Sequence, residues 1–504
     1  MFPPDVGYPG PTHAGAEPGV AATAPAYPMH SGAAHLVAPP TFAKGKGKSK
    51  KKHEKFDLFR SWGSLSPWYS VEQGTFGIDS SPEAPDTCQI TGVHLLHRHG
   101  ARYPADVTSA SGPPGFASRL RAHGANFSAS GPLSFLNDWT YKLGQEGLTP
   151  FGRAQLFDLG VSMRMRYGFL LKNFTESNIL PVFRTESQNR MLASAQNFAL
   201  GFFGYPFEDQ YQQVITIESK GFNNTLAPYR SCSNNDDPNK GWRGGDPMNE
   251  WVAIYLQKAL HRLQKHVTGM ELTFADVFAM QETCAFETVA LGFSKFCELF
   301  TEKEWEGFDY ACVYLTPLYG TSFGSPTARA QGIGYVQELV SRLTETPIEI
   351  HNSSTNATLH NSITFPFGHS LYVDATHEVV VMNVLTALNL SSFAATGPLP
   401  TDHIPERRSF RSAEVAPFAT NIQFQLLACS SEPDPQIRVI VNDGVVPLDV
   451  LEGCPENFHG MCSVGAFVDA QKQSIRTTDW AFVCDSDWEV PDGWNTTAGY
   501  PDWI

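Results

Sequence analysis

The segment Arg98-His99-Gly100-Ala101-Arg102-Tyr103-Pro104 places two guanidinium groups around one imidazole. A neutral imidazole nitrogen can attack phosphorus in line, forming a covalent intermediate that water later cleaves. A phosphate monoester is an anion that repels nucleophiles, so arginines must bind its oxygens, which they do with paired hydrogen bonds. The flanking positive charges also lower the pKa of the histidine, which keeps it neutral in mild acid. The segment therefore predicts phosphoryl transfer to His99, and Gly100 is expected to let the backbone approach the ligand.

A second group of polar residues, Asp374-Ala-Thr-His377-Glu378, could supply the acid that this chemistry needs. An alkoxide is a poor leaving group, so a nearby acid must protonate it. A carboxyl beside a bound phosphate keeps its proton in mild acid because the negative charge raises its pKa. His377 would bind a phosphate oxygen at the N-terminus of the following helix. A His-Glu pair alone is more often an ordinary helix cap, so its significance depends on the first motif.

The elements around the first motif are predicted from apolar patterns and capping residues. The apolar run from Gln89 to Leu96 predicts a buried strand that ends at the motif. The carboxyl end of a strand is where open α/β sheets place their sites. Thr149 and Pro150 are typical of a helix N-cap and first turn.

Further along the chain, Thr185-Glu-Ser-Gln188 matches a capping box and predicts a helix whose apolar face contains Met191, Ala195, Phe198 and Phe202. Apolar periodicity predicts further helices over 336–343 and 381–388, the latter after a short strand at 371–373. Residues 437–441 and 445–448, joined by Asn442-Asp443-Gly444, predict a hairpin.

This order of elements predicts an α/β fold: a large α/β domain with a central, mainly parallel sheet flanked by helices, and a smaller helical domain inserted in it. We assign residues 56–104 and 321–504, with roughly 180–205, to the α/β domain, and roughly 105–320 to the insertion. Residues 1–55 are rich in Pro, Ala and Gly and end in a run of lysines, which predicts a disordered tail.

Composition excludes several classes of protein. The net charge is −15, although residues 1–55 carry +4, and such an acidic body argues against a nucleic-acid partner. The sequence contains no run of eighteen or more apolar residues, so we expect no transmembrane helix. His97 and His99 lack an acidic cluster beside them that would complete a metal site, so we expect neither a metal nor a cofactor.

Cysteines and glycosylation motifs favour an oxidising, secretory compartment. None of the nine cysteines forms a CxxC pair, which would indicate a zinc ribbon or a thioredoxin-like site. Seven Asn-x-Ser/Thr sequons occur, at Asn126, Asn173, Asn223, Asn352, Asn356, Asn389 and Asn495. The first residues contain no apolar h-region and do not predict a signal peptide.

The motif at 98–104 resembles the signature of the histidine acid phosphatases, in the branch that contains the fungal phytases. The resemblance continues, in the family's order, over 61–485. The matching segments are Ser61-Trp62-Gly63 through Pro67, Leu148-Thr-Pro-Phe-Gly152, Cys297-Glu-Leu-Phe-Thr301 with Trp305, Ala330-Gln-Gly-Ile-Gly334, Arg438 through Pro447, and Asp479-Trp480 near Cys484.

The resemblance assigns a role to each residue of the first motif. It implies that His99 is the nucleophile and that Arg98 and Arg102 bind phosphate. It also implies a third phosphate-binding arginine, for which Arg184 is the first candidate and Arg190 the second.

In the second motif, the resemblance implies that His377 is the family's distal histidine. The family's proton donor is usually an Asp at the next position, where this chain has Glu378. We expect Glu378 to be the donor, although its extra methylene shifts the carboxyl, and Asp374 is the alternative.

By the same resemblance, eight cysteines form four disulfides and Cys312 is a free, buried thiol. The implied pairs are Cys88–Cys429, Cys232–Cys484, Cys284–Cys297 and Cys454–Cys462.

The expected substrate is a small phosphate monoester, and the resemblance favours stepwise release of phosphate from myo-inositol hexakisphosphate (phytate) at acidic pH. Three alternatives remain. A broad-specificity acid phosphatase would have little activity on phytate. A phosphoglycerate-mutase-like transferase would be shorter, cytosolic and free of disulfides. A non-catalytic binding protein would be favoured if Glu378 could not act as an acid.

Overall fold

A computed structural model describes residues 15–18, 56–105, 112–313 and 320–501. The strands within them are β1 (Cys88–Arg98), β2 (Ser128–Ala129), β3 (Val182–Glu186), β4 (Gln212–Thr216), β5 (Val267–Thr268), β6 (Leu371–Thr376), β7 (Asn421–Cys429), β8 (Gln436–Val441), β9 (Gly444–Val446) and β10 (Cys462–Ser463). The α-helices within them are α1 (Gly112–His123), α2 (Pro150–Tyr167), α3 (Leu171–Ser177), α4 (Asn189–Phe203), α5 (Gly245–Tyr255), α6 (Gln257–Gln264), α7 (Phe274–Leu291), α8 (Glu302–Val313), α9 (Ala328–Thr344), α10 (Glu378–Ala387), α11 (Ser412–Val415), α12 (Val464–Arg476) and α13 (Trp480–Asp485).

The central sheet has the strand order β10-β8-β7-β1-β6-β3-β4, and β9 pairs with β8. Strands β1, β6, β3 and β4 are parallel to one another, whereas β7 to β10 pair in antiparallel fashion. The predicted α/β class is therefore confirmed, but the sheet is mixed rather than mainly parallel. Because β1, β6, β3 and β4 are parallel, their carboxyl ends lie at the same edge of the sheet.

Helices α2 and α4 cover one face of the parallel half of the sheet. Leu156 on α2 and Phe198 on α4 belong to one buried cluster with Val93 of β1 and Val373 of β6. The predicted apolar face of α4 is confirmed, since Met191, Ala195, Phe198 and Phe202 are all buried. The sequence-based division assigned α2 to the helical insertion, but its packing joins it to the sheet.

The opposite face of the sheet is covered by α9 and α10, which confirm the helices expected over 336–343 and 381–388. Val336 of α9 and Val381 of α10 share a buried cluster with Leu96 and Ile422 of the sheet. This cluster continues into α5 to α8, so the mainly helical segment that follows β4 packs against the α/β core. Among the described residues, no helix is both long and apolar enough to cross a membrane.

The two predicted helix starts have different outcomes. The Thr149 hydroxyl accepts a hydrogen bond from the Gly152 amide at 3.0 Å, which confirms the N-cap of α2. The prediction of a capping box at 185–188 is wrong, because Thr185 and Glu186 are the last residues of β3. Helix α4 begins only at Asn189, three residues beyond the strand.

The predicted hairpin is confirmed in β8 and β9. Asn442 and Asp443 have positive φ angles of 48° and 72°, the left-handed conformation that a tight two-residue hairpin turn requires.

Most of the predicted disordered tail, residues 1–14 and 19–55, lies outside the described residues. Residues 15–18 are described, and they contact the folded part of the chain. Ala16 pairs with Gln145 through two backbone hydrogen bonds of 2.8 and 2.7 Å, and Glu17 lies 3.1 Å from Arg153.

The four disulfides implied by the resemblance are all present, and Cys312 is free and half-buried. The bond between Cys88 and Cys429 joins the start of β1 to the end of β7, where these residues are opposite each other in the sheet.

Candidate active site

The parallel strands deliver polar residues to one edge of the sheet. His99 directly follows β1, His377 directly follows β6, and Glu218 comes two residues after β4. Glu186 ends β3, and Arg190 lies in the first turn of the helix after it. These five residues converge because the carboxyl ends of parallel strands meet at this edge.

The loop carrying His99 is fixed against the first turn of α2. The Ala101 carbonyl accepts hydrogen bonds from the Thr149 amide and hydroxyl at 2.9 and 3.2 Å, and the Ala101 amide donates to Gln155 at 2.9 Å. A Cβ atom on Gly100 would lie only 2.1 Å from the Gly152 carbonyl oxygen. Glycine is therefore required at position 100 for close packing on α2.

His99 is buried, and its ring has a defined orientation. Its Nδ1 atom lies 2.8 Å from the Gly100 carbonyl oxygen, which can only accept a hydrogen bond, so the proton is on Nδ1. This tautomer leaves the lone pair on Nε2. Burial, followed by the charges of Arg98 and Arg190, lowers the pKa of His99 well below its usual value, so the ring is neutral in mild acid.

Three arginines near His99 hold donors without acceptors. Arg98 is fixed by Nη1, which donates to the Ser64 and Ala416 carbonyls at 2.6 and 2.7 Å. The buried Nε atoms of Arg98, Arg102 and Arg190 find no hydrogen-bond acceptor among the described residues. Buried charged donors normally have partners, so these groups indicate a binding place for an anion.

Arg190, our second candidate for the third arginine, is in this cluster. Its Nη2 atom lies 3.3 Å from Nδ1 of His377, and its Nη1 atom forms an ion pair with Glu146. Its charge also contributes to lowering the pKa values of His99 and Arg102. Arg190 therefore contacts His377 and acts on His99 through its charge.

The structure does not bring Arg184, our first candidate, to this cluster. It belongs to a buried ion network, with its Nε and Nη2 atoms 2.6 and 2.8 Å from Asp374 and Glu338. Arg342 completes the network at 2.7 Å from Asp374. The positive charge of Arg184 is therefore balanced by buried carboxylates of β6 and α9.

Asp374, the alternative proton donor, is held in the same network. Burial would raise the pKa of Asp374, but the charges of Arg184 and Arg342 outweigh it and lower the pKa below its usual value. A carboxylate fixed in this way has no proton to donate.

His377 and Glu378 lie beside His99 at the start of α10. The rings of His99 and His377 are 5.6 Å apart between centroids and nearly perpendicular. Glu378 forms an ion pair with Nη2 of Arg98, and its side chain keeps 15% exposure. The second motif therefore meets the first as expected, with Glu378 at the open side of the site.

The sequence interpretation missed two carboxyl groups behind His377. Nε2 of His377 lies 3.2 Å from Glu218 and 3.3 Å from Glu186. Both acids are placed at or just after the end of a parallel strand, and that position is a signal that could have identified them. The ligand atoms of the three side chains lie within 4.8 Å of one another. Arg230 and Arg190 contact this group and balance its charge, so we assign no metal to it.

An α/β fold that presents a neutral imidazole among guanidinium groups, at the carboxyl edge of its parallel strands, defines a histidine-dependent phosphoryl-transfer enzyme. The chain belongs to the histidine phosphatase superfamily (branch 2), whose family model matches residues 89–442.

Named relatives agree with this membership, and a solved structure has the same fold. The chain is 34% identical over 439 residues to Phytase A of Aspergillus oryzae, an alignment that covers 83% of this chain and 89% of the relative. It is also 34% identical to Phytase A of Emericella nidulans over 435 residues, with the same coverage. The crystal structure of the phytase from D. castellii superimposes with a TM-score of 0.69 at 24% identity, over 86% of this chain and 88% of that one.

Proposed function

We propose that this protein is a phytase, which removes phosphate groups stepwise from myo-inositol hexakisphosphate through a phosphohistidine formed on His99. The proposal is carried by one observation: His99 directs a free Nε2 lone pair into a site where three arginines hold buried donors without acceptors. The relatives named Phytase A support the choice of substrate.

In the first chemical step, Nε2 of His99 attacks phosphorus and the bond to the ester oxygen breaks. Arg98, Arg102 and Arg190 bind the phosphoryl oxygens and stabilise the charge that develops on them. Glu378 occupies Nη2 of Arg98, so a phosphoryl oxygen that binds this nitrogen displaces the carboxylate. Once released from this ion pair, the carboxyl of Glu378 binds a proton from solvent, which the negative charge of the neighbouring phosphate favours, and donates it to the leaving alkoxide.

In the second step, water attacks the phosphohistidine and the bond between nitrogen and phosphorus breaks. Glu378, now ionised, accepts the proton that this water loses. Nε2 recovers its lone pair and inorganic phosphate leaves, so each cycle consumes one water molecule and returns His99 to its neutral form. The extra methylene of Glu378 relative to aspartate is compatible with this role, because its carboxyl already reaches Arg98.

The test is to measure phosphate release from phytate and from p-nitrophenyl phosphate at about pH 5, where a carboxyl donor and a neutral imidazole can coexist. Wild type should hydrolyse both, and His99→Ala should hydrolyse neither. Good turnover of p-nitrophenyl phosphate with negligible release from phytate would instead indicate a broad-specificity acid phosphatase. Binding of phytate without hydrolysis of either ester would indicate a non-catalytic binding protein.

We further propose that the protein is secreted and glycosylated. Four disulfides support an oxidising compartment. Five sequon asparagines are exposed: Asn126, Asn173, Asn352, Asn389 and Asn495. By contrast, the Nδ2 atom of Asn356 donates to the Asn223 carbonyl at 3.2 Å, and that of Asn223 lies 3.4 Å from two carbonyl oxygens. Because a glycan is attached to Nδ2, we expect modification at the five exposed sites only.

A further inference from the structure

The two acids behind His377 are too close together, and too deeply buried, for both to be ionised. Glu186 and Glu218 have side-chain exposures of 0% and 1%, and their oxygens lie within 4.8 Å of each other and of His377. Two carboxylates in one buried site repel each other, so one of them stays protonated and donates a hydrogen bond to the other.

Their contacts determine which acid carries the charge. Glu218 receives hydrogen bonds from Tyr229 at 3.1 Å and from two nitrogens of Arg230 at 3.0 and 2.7 Å. Glu186 receives a long contact of 3.4 Å from Thr376, and its Oε2, although 3.3 Å from Nε2 of His377, has no hydrogen-bond donor of normal geometry. Glu218 is therefore the anion and Glu186 holds the proton.

The pKa directions agree with this assignment. Burial, and then the charge of Glu218, raises the pKa of Glu186 well above its usual value. Burial alone would raise the pKa of Glu218, but contacts with His377, Glu186 and Arg230 outweigh it and lower that pKa.

His377 lies between this pair and the anion site. Arginine nitrogens only donate, so the 3.3 Å contact from Arg190 makes Nδ1 of His377 an acceptor. The single proton of the neutral ring is then on Nε2 and is donated to Glu218 at 3.2 Å. To donate to an anion oxygen from Nδ1 as well, the ring must acquire a second proton.

We propose that Glu186 and Glu218 share one proton and act with Arg230 as a positioning unit, which lets His377 take up a proton from solvent when an anion binds. The inference rests on the proposed function, because the anion concerned is the phosphoryl group of the substrate. Glu186 and Glu218 contact no substrate atom in this scheme and act only through His377.

The surrounding charges make this uptake depend on the anion. The charged and titratable groups that face His377 are His99, Arg102, Glu186, Arg190, Glu218, Tyr229 and Arg230. Burial, together with the positive charges of Arg190 and Arg102, lowers the pKa of His377 to about 4 despite the opposing effect of Glu218. A bound dianion offsets those positive charges, so Glu218 can then stabilise the imidazolium.

The experiment uses inorganic sulfate, a dianion that does not itself titrate in mild acid and is not hydrolysed. Sulfate binding to the whole chain is measured by calorimetry at about pH 5.5, above the pKa of His377, in two buffers of different ionisation enthalpy, which gives the number of protons taken up. Glu378 takes up its own proton beside the anion in each variant, so the diagnostic quantity is the difference between variants. Wild type should take up close to one proton more than Glu218→Gln. Glu218→Gln should also bind sulfate about tenfold more weakly for each unit by which Glu218 raises the pKa of His377.

Matched variants separate positioning from a general structural role. Glu186→Gln keeps an uncharged donor to Glu218, so it should retain the proton uptake that Glu218→Gln loses. In a His377→Gln background, Glu218→Gln should have no further effect on sulfate affinity, because it acts through that ring. Thermal melts establish that each variant is folded.

Four results would overturn the inference: wild type that fails to bind sulfate, wild type that binds it with no more proton uptake than Glu218→Gln, loss of uptake in Glu186→Gln, or additive effects of the His377 and Glu218 changes. Normal uptake in a protein that hydrolyses no ester would leave the inference intact and refute the proposed function instead.

Discussion

Arg184 and Arg190 lie six residues apart, and either could be the third phosphate ligand by sequence. Their contacts in the structure predict opposite effects when they are replaced. Arg190 has a buried Nε without an acceptor and contacts His377 through Nη2, whereas Nε and Nη2 of Arg184 are paired with Asp374 and Glu338. Replacing each by methionine removes the charge and keeps most of the volume. Arg190→Met should therefore impair catalysis, and Arg184→Met should impair stability.

The magnitudes follow from these contacts. A hydrogen bond to a charged group is worth about 1.5–3 kcal/mol, so losing one phosphoryl contact in Arg190→Met lowers kcat/KM about 10- to 150-fold. Removing Arg184 leaves two buried carboxylates with fewer partners, and breaking a buried ion pair costs about 3–5 kcal/mol of folding free energy. Arg342 remains beside Asp374, so we expect about 3 kcal/mol, at the lower end of that range.

The assay combines p-nitrophenyl phosphate kinetics with chemical denaturation of both variants. Arg190→Met should lose less stability than Arg184→Met, because relief of the repulsion from Arg98 and Arg102 offsets the lost ion pair with Glu146, but it should lose catalytic efficiency and affinity for inorganic phosphate. Arg184→Met should unfold earlier, while the folded fraction keeps its KM and its affinity for inorganic phosphate. The reverse pattern, weak phosphate binding in Arg184→Met and normal kinetics in Arg190→Met, would refute this assignment.

Three further predictions concern the acid, the response to pH and glycosylation. Glu378→Gln should lower phytate turnover about 10²- to 10⁴-fold but preserve the initial burst of p-nitrophenolate, which leaves without protonation; loss of that burst would contradict the acid role. Burial lowers the pKa of His94 to about 3, so the folded state binds fewer protons than the unfolded state, and stability falls as the pH drops below about 6.5. Thermal melts from pH 7 to 4 should show a smaller decrease for His94→Phe, which retains stacking on Tyr372, and an equal decrease would contradict the assignment. Peptide mapping of the protein expressed through a secretory pathway should find glycans at the five exposed sequons, and glycans at Asn223 or Asn356 would contradict the argument from their Nδ2 hydrogen bonds.

The site around the first motif could be predicted because the sequence signals for its strand and helix lie within a few residues of each element. The apolar run before Arg98 identifies β1, and the parallel half of the sheet places His99 and His377 at the same edge. Thr149 and Pro150 likewise determine the start of α2 through local capping alone.

The third arginine could not be predicted in the same way, because the end of β3 depends on pairing with other strands. Thr185 and Glu186 form a plausible cap in the sequence, but they pair with Ile215 and Thr216 of β4 and extend the strand. This extension moves the helix start to Asn189 and leaves Arg184 inside the sheet opposite Asp374. Long-range pairing therefore overrode local propensity, and it also determined the antiparallel half of the sheet.

The central claim is that Nε2 of His99 bonds covalently to phosphorus, and trapping the phosphoenzyme tests it most directly. Wild type mixed with a phosphate ester is quenched within one turnover, digested under alkaline conditions that preserve phosphohistidine, and mapped by mass spectrometry. We predict a phosphorylated peptide containing His99, absent from His99→Ala. Steady turnover with no covalent phosphate on the protein, or phosphate on a different residue, would contradict the account.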